Sequence, residues 1–404
     1  MGPPCRSVCF QTVEFKAGTW AWLVAKLSRR RHIVTAAVQM RRAAGGARTC
    51  TQDCRITGYG RAIHVPRTLF AVIFVALCPA AQGQPISGAG ASFPAPVYLK
   101  WAEAARAAIG VDLNYNPIGS TGGQNEAANR DVDFGASDAP MDPARLAATN
   151  LLQFPTVMGA VVVIVNLPRV RQGELKLTGE TLADIFAGKI RKWNDPRLVE
   201  INPDFTLPNL TIAPVHRYEA SGTSFVFTAY LSAVSQDWKR AVGAGTSVKW
   251  PAGAGAKGSD GVASTVSIIH GGIGYVESSF ATANHLVTAR LRNRAGVFVR
   301  PAATNFIAAS VSADWTAPNF AVSLVNTDGE ASWPIVSATF VLLPKDPRDA
   351  TRGAAVLKFF DWAFRNGTAA SEQLGYIPLP PDVQDSVRAA WHTQVLADGQ
   401  PVFP

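Results

Sequence analysis

The chain has 404 residues, with 38 Lys and Arg against 29 Asp and Glu, a formal net charge of +9. Residues 1–83 hold twelve bases and two acids, a net +10, which leaves −1 for residues 84–404. All five cysteines, Cys5, Cys9, Cys50, Cys54 and Cys78, lie in that first stretch. The remainder therefore has no disulfide scaffold, thiol nucleophile or cysteine-held metal, and its neutrality weakens any nucleic-acid reading based on charge.

Residues 61–83 read as a secretory signal. Arg61, His64 and Arg67 precede an apolar run over residues 69–77, and Cys78-Pro-Ala-Ala-Gln-Gly83 makes a small-residue exit. The run is about half of what a membrane-spanning helix requires, so cleavage after Gly83 is expected rather than a retained anchor. Leu77 is too bulky for lipid attachment at Cys78, so lipoprotein anchoring is not expected. The signal lies well inside the chain, which points to a reading frame extended upstream, with Val65 as an alternative initiator. Arg29-Arg30-Arg31 is followed by no long apolar run. The pairs Cys5/Cys9 and Cys50/Cys54 have no histidine at a useful interval and are not expected to hold zinc.

From residue 84 the pattern alternates between short β-like runs and helical stretches, which predicts an α/β fold. In chain order, a helix is expected over 94–108, with Val97, Trp101, Ala104, Ala105 and Ala108 facing a core. A strand follows over 111–115, a helix over 122–129, a strand over 133–136 and a helix over 143–150. Next come a strand over 157–165, a helix over 179–187, a strand over 210–215 and a helix over 224–232. The glycine-rich stretch 251–261 is expected as an exposed loop. Strands over 274–276 and 338–343 and a helix over 354–365 complete the reading, which contains no repeat or low-complexity tract.

Four segments share one design, a small polar residue opening a helix after a strand. They are Ser87-Gly-Ala-Gly-Ala-Ser92-Phe-Pro94, Pro117-Ile-Gly-Ser120-Thr-Gly-Gly123, Asp133-Phe-Gly-Ala-Ser-Asp138-Ala-Pro140 and Val215-His-Arg217-Tyr-Glu219-Ala-Ser221-Gly-Thr223-Ser-Phe225. Singly, each serine is no more than a helix cap. Together, with Arg217 and Asp138 at strand ends, they suggest an anion site. Open α/β sheets bind ligands beyond the carboxyl ends of their strands, where helix starts offer unpaired N–H groups.

At these residues the chain closely resembles the periplasmic phosphate-binding proteins of phosphate-specific ABC transporters, from about Ile86 to Trp391. The stretches Gly88–Tyr98, Asp133–Pro140 and Ser221–Thr228 carry the likeness, with Gly188-Lys-Ile-Arg-Lys-Trp-Asn194, Trp333-Pro-Ile335 and Leu357–Ala363. The resemblance implies a two-lobed periplasmic-binding-protein fold with a ligand cleft between the lobes. Residues 84–166 and 337–404 would form lobe I and residues 167–336 lobe II. It implies phosphate contacts from Ser92 and Phe93, from Ser120, from Arg217, and from Ser221, Gly222 and Thr223. Asp138 would accept a hydrogen bond from a protonated phosphate and so reject sulfate, which carries no proton near neutral pH. Ser92 stands where the family usually has threonine, and Glu219 where an aspartate pairing with the arginine is expected. The implied partners are inorganic phosphate and the permease and ATPase subunits of an inner-membrane importer. A monomeric periplasmic protein without cofactor, metal, nucleic-acid partner or enzymatic activity is expected.

Three alternatives stay open. An enzyme would need a base or metal, yet His216, His270, His285 and His392 have no metal-ligand spacing and no G-x-S-x-G elbow is present. His216 reads as a strand histidine on the face opposite Arg217. The fold could instead be tuned to another oxyanion, or serve as a secreted scavenger without a transporter. The tryptophans read as packing, and Phe93 as an apolar lid edge.

Overall fold

The computed structural model describes residues 84–311 and 313–403. The expected signal, Cys78 and the cysteine pairs lie outside them. The chain opens with β1 (Gln84–Gly90), α1 (Ala95–Ile109), β2 (Val111–Asn116), α2 (Ser120–Asn129), β3 (Phe134–Ser137) and α3 (Pro143–Ala148). β1 is not announced by periodicity, because Ser87, Gly88, Ala89 and Gly90 carry no apolar alternation. It pairs in parallel with both β2 and β3. α1 buries Val97, Tyr98, Trp101 and Ala105. Ala104 and Ala108, expected on that face, are exposed. The buried stripe is turned toward Tyr98 instead, whose ring packs on Trp101, Tyr115 and Phe360.

The next strand, β4 (Leu151–Asn166), starts well before the expected residue 157 and is buried almost throughout, as a strand covered on both faces should be. Then follow β5 (Lys176–Leu177), α4 (Gly179–Phe186), α5 (Pro196–Ile201), β6 (Ala213–Arg217), α6 (Gly222–Val234) and α7 (Gln236–Ala241). β7 (Ala254–Ala256), α8 (Gly258–Ile268), β8 (Gly272–Glu277) and α9 (Ser278–Ala283) come next. Thus the stretch 251–261 is not simply a loop: its small residues form a short edge strand on β6 and open a helix. The expected strand 210–215 begins and ends later, which places Arg217 as the last residue of β6. The chain closes with β9 (Arg290–Arg292), β10 (Phe298–Val299), α10 (Ala303–Val311), β11 (Val336–Pro344), α11 (Ala350–Asn366), α12 (Thr368–Gln373), β12 (Ile377–Pro378), α13 (Pro381–Gln394) and the hairpin β13 (Leu396–Ala397) with β14 (Gln400–Pro401).

The main sheet runs β2-β1-β3-β11-β4-β8-β6-β7, with β12 also on β4. Strand directions decide where a site can form. β11 is antiparallel to both β3 and β4, so β1, β2 and β3 point the same way as β4. β8 is antiparallel to β4 and parallel to β6, so these two point back. β4 pairs with β11 through residues 151–160 and with β8 through residues 161–166. The carboxyl ends of β1–β3 and of β6 and β8 therefore face each other beside the middle of one long strand.

One local irregularity shapes that middle. The β4–β11 register shifts between Thr339 and Phe340, opposite Pro155. Proline has no N–H for the ladder, so a bulge there is the ordinary outcome. The unpaired Thr156 accepts or donates to the Tyr98 hydroxyl at 2.6 Å and donates to the Thr339 carbonyl at 3.3 Å. Gly90, at φ 144°, is held against the Ala136 backbone, where an added Cβ would lie 2.7 Å from the Ala136 nitrogen. Gly90→Ala is expected to destabilise the protein by about 2–4 kcal/mol, combining strain with overpacking. Thermal unfolding of the variant should show a midpoint several degrees lower.

Candidate functional site

The residues singled out in the sequence come together where the strand ends meet. Asp138 directly follows β3 and is 1% exposed; Arg217 ends β6 and is 3% exposed. Two open surface cavities, of about 350 and 300 Å³, lie around Thr288 and Arg352 and share no residue with this cluster. The cluster is instead closed by its own elements. A Cβ added to Gly222, the first residue of α6, would collide with the Ser120 hydroxyl and lie 2.7 Å from the Asp138 Cβ. Arg217 Nη2 donates to Ser92 Oγ at 3.4 Å, and Thr121 Oγ1 donates to Thr246 Oγ1 at 3.0 Å.

Ser120 is the first residue of α2, after Gly119 at φ 90°. Its oxygen accepts the Asp138 N–H at 3.0 Å and its hydroxyl approaches Asp138 Oδ2 at 3.5 Å. On β11, Ser337 and Thr339 share one face, two residues apart. The Ser337 hydroxyl donates to the Asp138 carbonyl at 3.2 Å, and the Thr339 hydroxyl to Asp138 Oδ1 at 2.7 Å. Burial pushes the Asp138 carboxyl up to about 7; Thr339 opposes this, Glu277 adds to it, and Arg217 and Ser120 pull back. The group is thus poised to hold or to accept a proton near neutrality.

Arg217 is buried and held by neighbouring protein groups. Its Nε donates to Glu219 Oε1 at 2.6 Å, its N–H to the Tyr275 hydroxyl at 3.2 Å, and its Nη1 is buried without a hydrogen-bond partner. Glu219 also accepts the Gly258 N–H at 2.9 Å. Burial raises the Glu219 carboxyl, but Arg217 and the backbone N–H groups outweigh it and hold it below the usual range. His216 points to the opposite face and stacks on Trp250 at 4.6 Å.

At the first helix start, Ser92 does not act as a cap: Pro94 occupies that position without a side-chain bond. The Ser92 hydroxyl is left for Arg217. Phe93 is 1% exposed, edge-on to Tyr376, and its carbonyl accepts the Tyr376 hydroxyl at 2.6 Å. At the start of α6, Ser221 caps Ser224 N–H at 3.4 Å, which leaves its own hydroxyl hydrogen and the N–H groups of Gly222 and Thr223 without intrahelical acceptors. Thr223 differs, because its hydroxyl donates to Glu277 at 2.7 Å.

Sequence reasoning missed Glu277, Thr339 and Ser337. Glu277 is the charged last residue of the otherwise apolar β8, the pattern that marked Arg217 on β6. The two β11 residues are polar positions inside an apolar run, alternating toward one face.

Strand ends facing across one long strand, with helix starts around a buried arginine, define a mixed α/β binding protein of the periplasmic-binding-protein type. A profile of the PBP superfamily domain matches residues 76–366. The phosphate-binding protein PstS of Pasteurella multocida is 48% identical over 337 residues, covering 83% of this chain and 98% of that protein. PstS of Haemophilus influenzae is 48% identical over 325 residues, covering 80% and 97%. The chain belongs to the PstS family of phosphate-binding proteins. A solved high-affinity periplasmic phosphate-binding protein bound with phosphate shares the fold, with a TM-score of 0.63 at 23% identity over 79% of this chain and 98% of that one.

Proposed function

We propose that this chain captures inorganic phosphate in the periplasm and hands it to the permease and ATPase subunits of an inner-membrane importer, without chemistry of its own. The signal over residues 61–83 exports it, and it works as a monomer with no nucleic-acid partner. Residues 84–166 with 337–404 form one lobe and residues 167–336 the other. The observation that carries the reading is the meeting of Gly222 with Ser120 and Asp138, while Arg217 reaches Ser92. Donors from both lobes then surround one point.

Phosphate is held there by the N–H groups of Ser92, Phe93, Gly222 and Thr223, the hydroxyls of Ser92, Ser120 and Ser221, and the guanidinium of Arg217. Hydrogen bonds to a charged partner are the strong ones, and Arg217 supplies the planar fork. Asp138 accepts the hydrogen of a protonated phosphate. The anion drives closure only through its better fit to the closed form, and the closed form is what the importer detects.

Calorimetric titration of the anion-free chain with phosphate and with sulfate tests this reading. Tight phosphate binding without a sulfate response supports it; silence toward phosphate, or preference for sulfate, overturns it. Gly222→Ala should weaken phosphate binding about a hundredfold or more, since its methyl group would hold α6 away from Asp138. The same variant should keep its unfolding temperature without phosphate, because an opened cleft accommodates the methyl.

A further inference from the structure

We propose that Thr121 and Thr246 form a latch at the rim of the cleft, which slows release of the bound anion without touching it. This rests on the phosphate-binding reading above and on its lobe division, which puts Thr121 in one lobe and Thr246 in the other. Thr121 is the second residue of α2. Its hydroxyl donates to the Thr246 hydroxyl oxygen at 3.0 Å, and both residues are half-buried. Beside them the two backbones meet, because a Cβ added to Gly119 would lie 2.6 Å from the Ala220 carbonyl oxygen. The nearby Ile118 and Tyr218 are 40% and 61% exposed, whereas Ser120 and Ser221 are buried, so this contact lies at the edge of the cluster. Neither threonine is among the groups assigned to the anion.

Thr246 is carried on the loop between α7 and β7, and that loop is fastened to its own lobe. The Thr246 carbonyl accepts the Ser221 N–H at 2.9 Å. Gly245 N–H donates to the Thr228 hydroxyl oxygen at 3.1 Å, and the Gly243 carbonyl accepts the Trp238 indole N–H at 3.0 Å. The loop and α6 are thereby joined, and the Thr246 hydroxyl is presented to α2 at little further cost in ordering. A bond made only when the lobes meet stabilises the closed form over the open one. The anion leaves after opening, so the same bond slows its departure. The net worth of one neutral hydrogen bond corresponds to about three- to tenfold in that equilibrium.

The test compares the full chain as wild type, Thr121→Val, Thr246→Val, the double variant and Thr246→Ser. Valine keeps the shape of threonine and, at position 246, the backbone bond to Ser221. Affinity is read by calorimetric titration with phosphate, and release by chasing radiolabelled phosphate with unlabelled phosphate. Each valine variant should bind about three- to tenfold more weakly, with the loss in faster release rather than slower association. The double variant should be no weaker than the weaker single one, because both remove the same bond. Thr246→Ser, which keeps the hydroxyl, should match wild type. Without phosphate all the variants should unfold at the wild-type temperature, since the bond belongs to the closed form. The proposal fails if either valine leaves affinity within about twofold of wild type, or if the two losses add in the double variant. It also fails if serine is as weak as valine, if the loss lies in association, or if the anion-free unfolding temperature falls. A wild type that ignores phosphate instead removes the functional reading, and this proposal with it.

Discussion

Replacing Arg217 with methionine is expected to weaken phosphate binding at least about a thousandfold, a loss of about 4 kcal/mol. The side chain is 3% exposed, and its Nη1 has no hydrogen-bond partner within the protein, which leaves a desolvated donor for an anion. The loss extends to stability. Glu219 at 2.6 Å and Glu277 at 3.8 Å would lose their shared cation, which leaves one half-buried and one buried carboxylate without it. Breaking a buried pair from one side costs about 3–5 kcal/mol, so the unfolding temperature should fall even without phosphate. Lysine restores the charge but not the fork that reaches Glu219 and Ser92 together, and Arg217→Lys should remain at least about tenfold weaker than wild type. Calorimetry and thermal unfolding read both effects. A methionine variant that binds within tenfold of wild type would remove Arg217 from the site.

The second large effect belongs to Asp138→Asn. Its carboxyl is raised from 3.8 to about 7 in the folded protein, with burial as the main cause. Between those values the folded state binds a proton that the unfolded state has released. Its contribution to stability is therefore full below about pH 4 and is lost as pH rises through 7. A shift of about three units corresponds to an order of 4 kcal/mol. Asparagine has no proton to lose, so the anion-free variant should show a flatter dependence over this interval. It should also be the more stable protein above pH 7, as read by denaturant unfolding across pH. Selectivity should move as well. An acceptor facing sulfate is an unmade bond in a dry site, while an amide can donate to it. Asp138→Asn should thus bind phosphate about a hundredfold more weakly and gain sulfate affinity at least about tenfold. Unchanged discrimination would show that another group reads the ligand's proton.

These two residues were legible before the fold was, because each ends a β-like run with a charge. The same signal at Glu277 passed unread, since its partners Thr223 and Ser259 are distant in sequence and lie at separate helix starts. Thr339 could not be found from spacing alone. Its contact with Asp138 spans 201 positions and depends on antiparallel pairing of β11 with β3, beside a bulge opposite Pro155.

The sequence by itself determined the alternation of strand and helix, the charge and cysteine imbalance, the helix-opening serines and the charged strand ends. Those features are local, and their periodicity and cap chemistry survive in one dimension. It misjudged β1 and β7, because small residues and glycines carry no hydrophobic period, and it placed Ala104 and Ala108 on a face they do not share. Only the tertiary structure decided that two sets of strand ends oppose each other beside β4, that Gly222 must lack a side chain against Asp138, and that Thr223 gives its hydrogen to Glu277. Each of these follows from strand direction and long-range packing, which link residues whose separation along the chain holds no periodic trace.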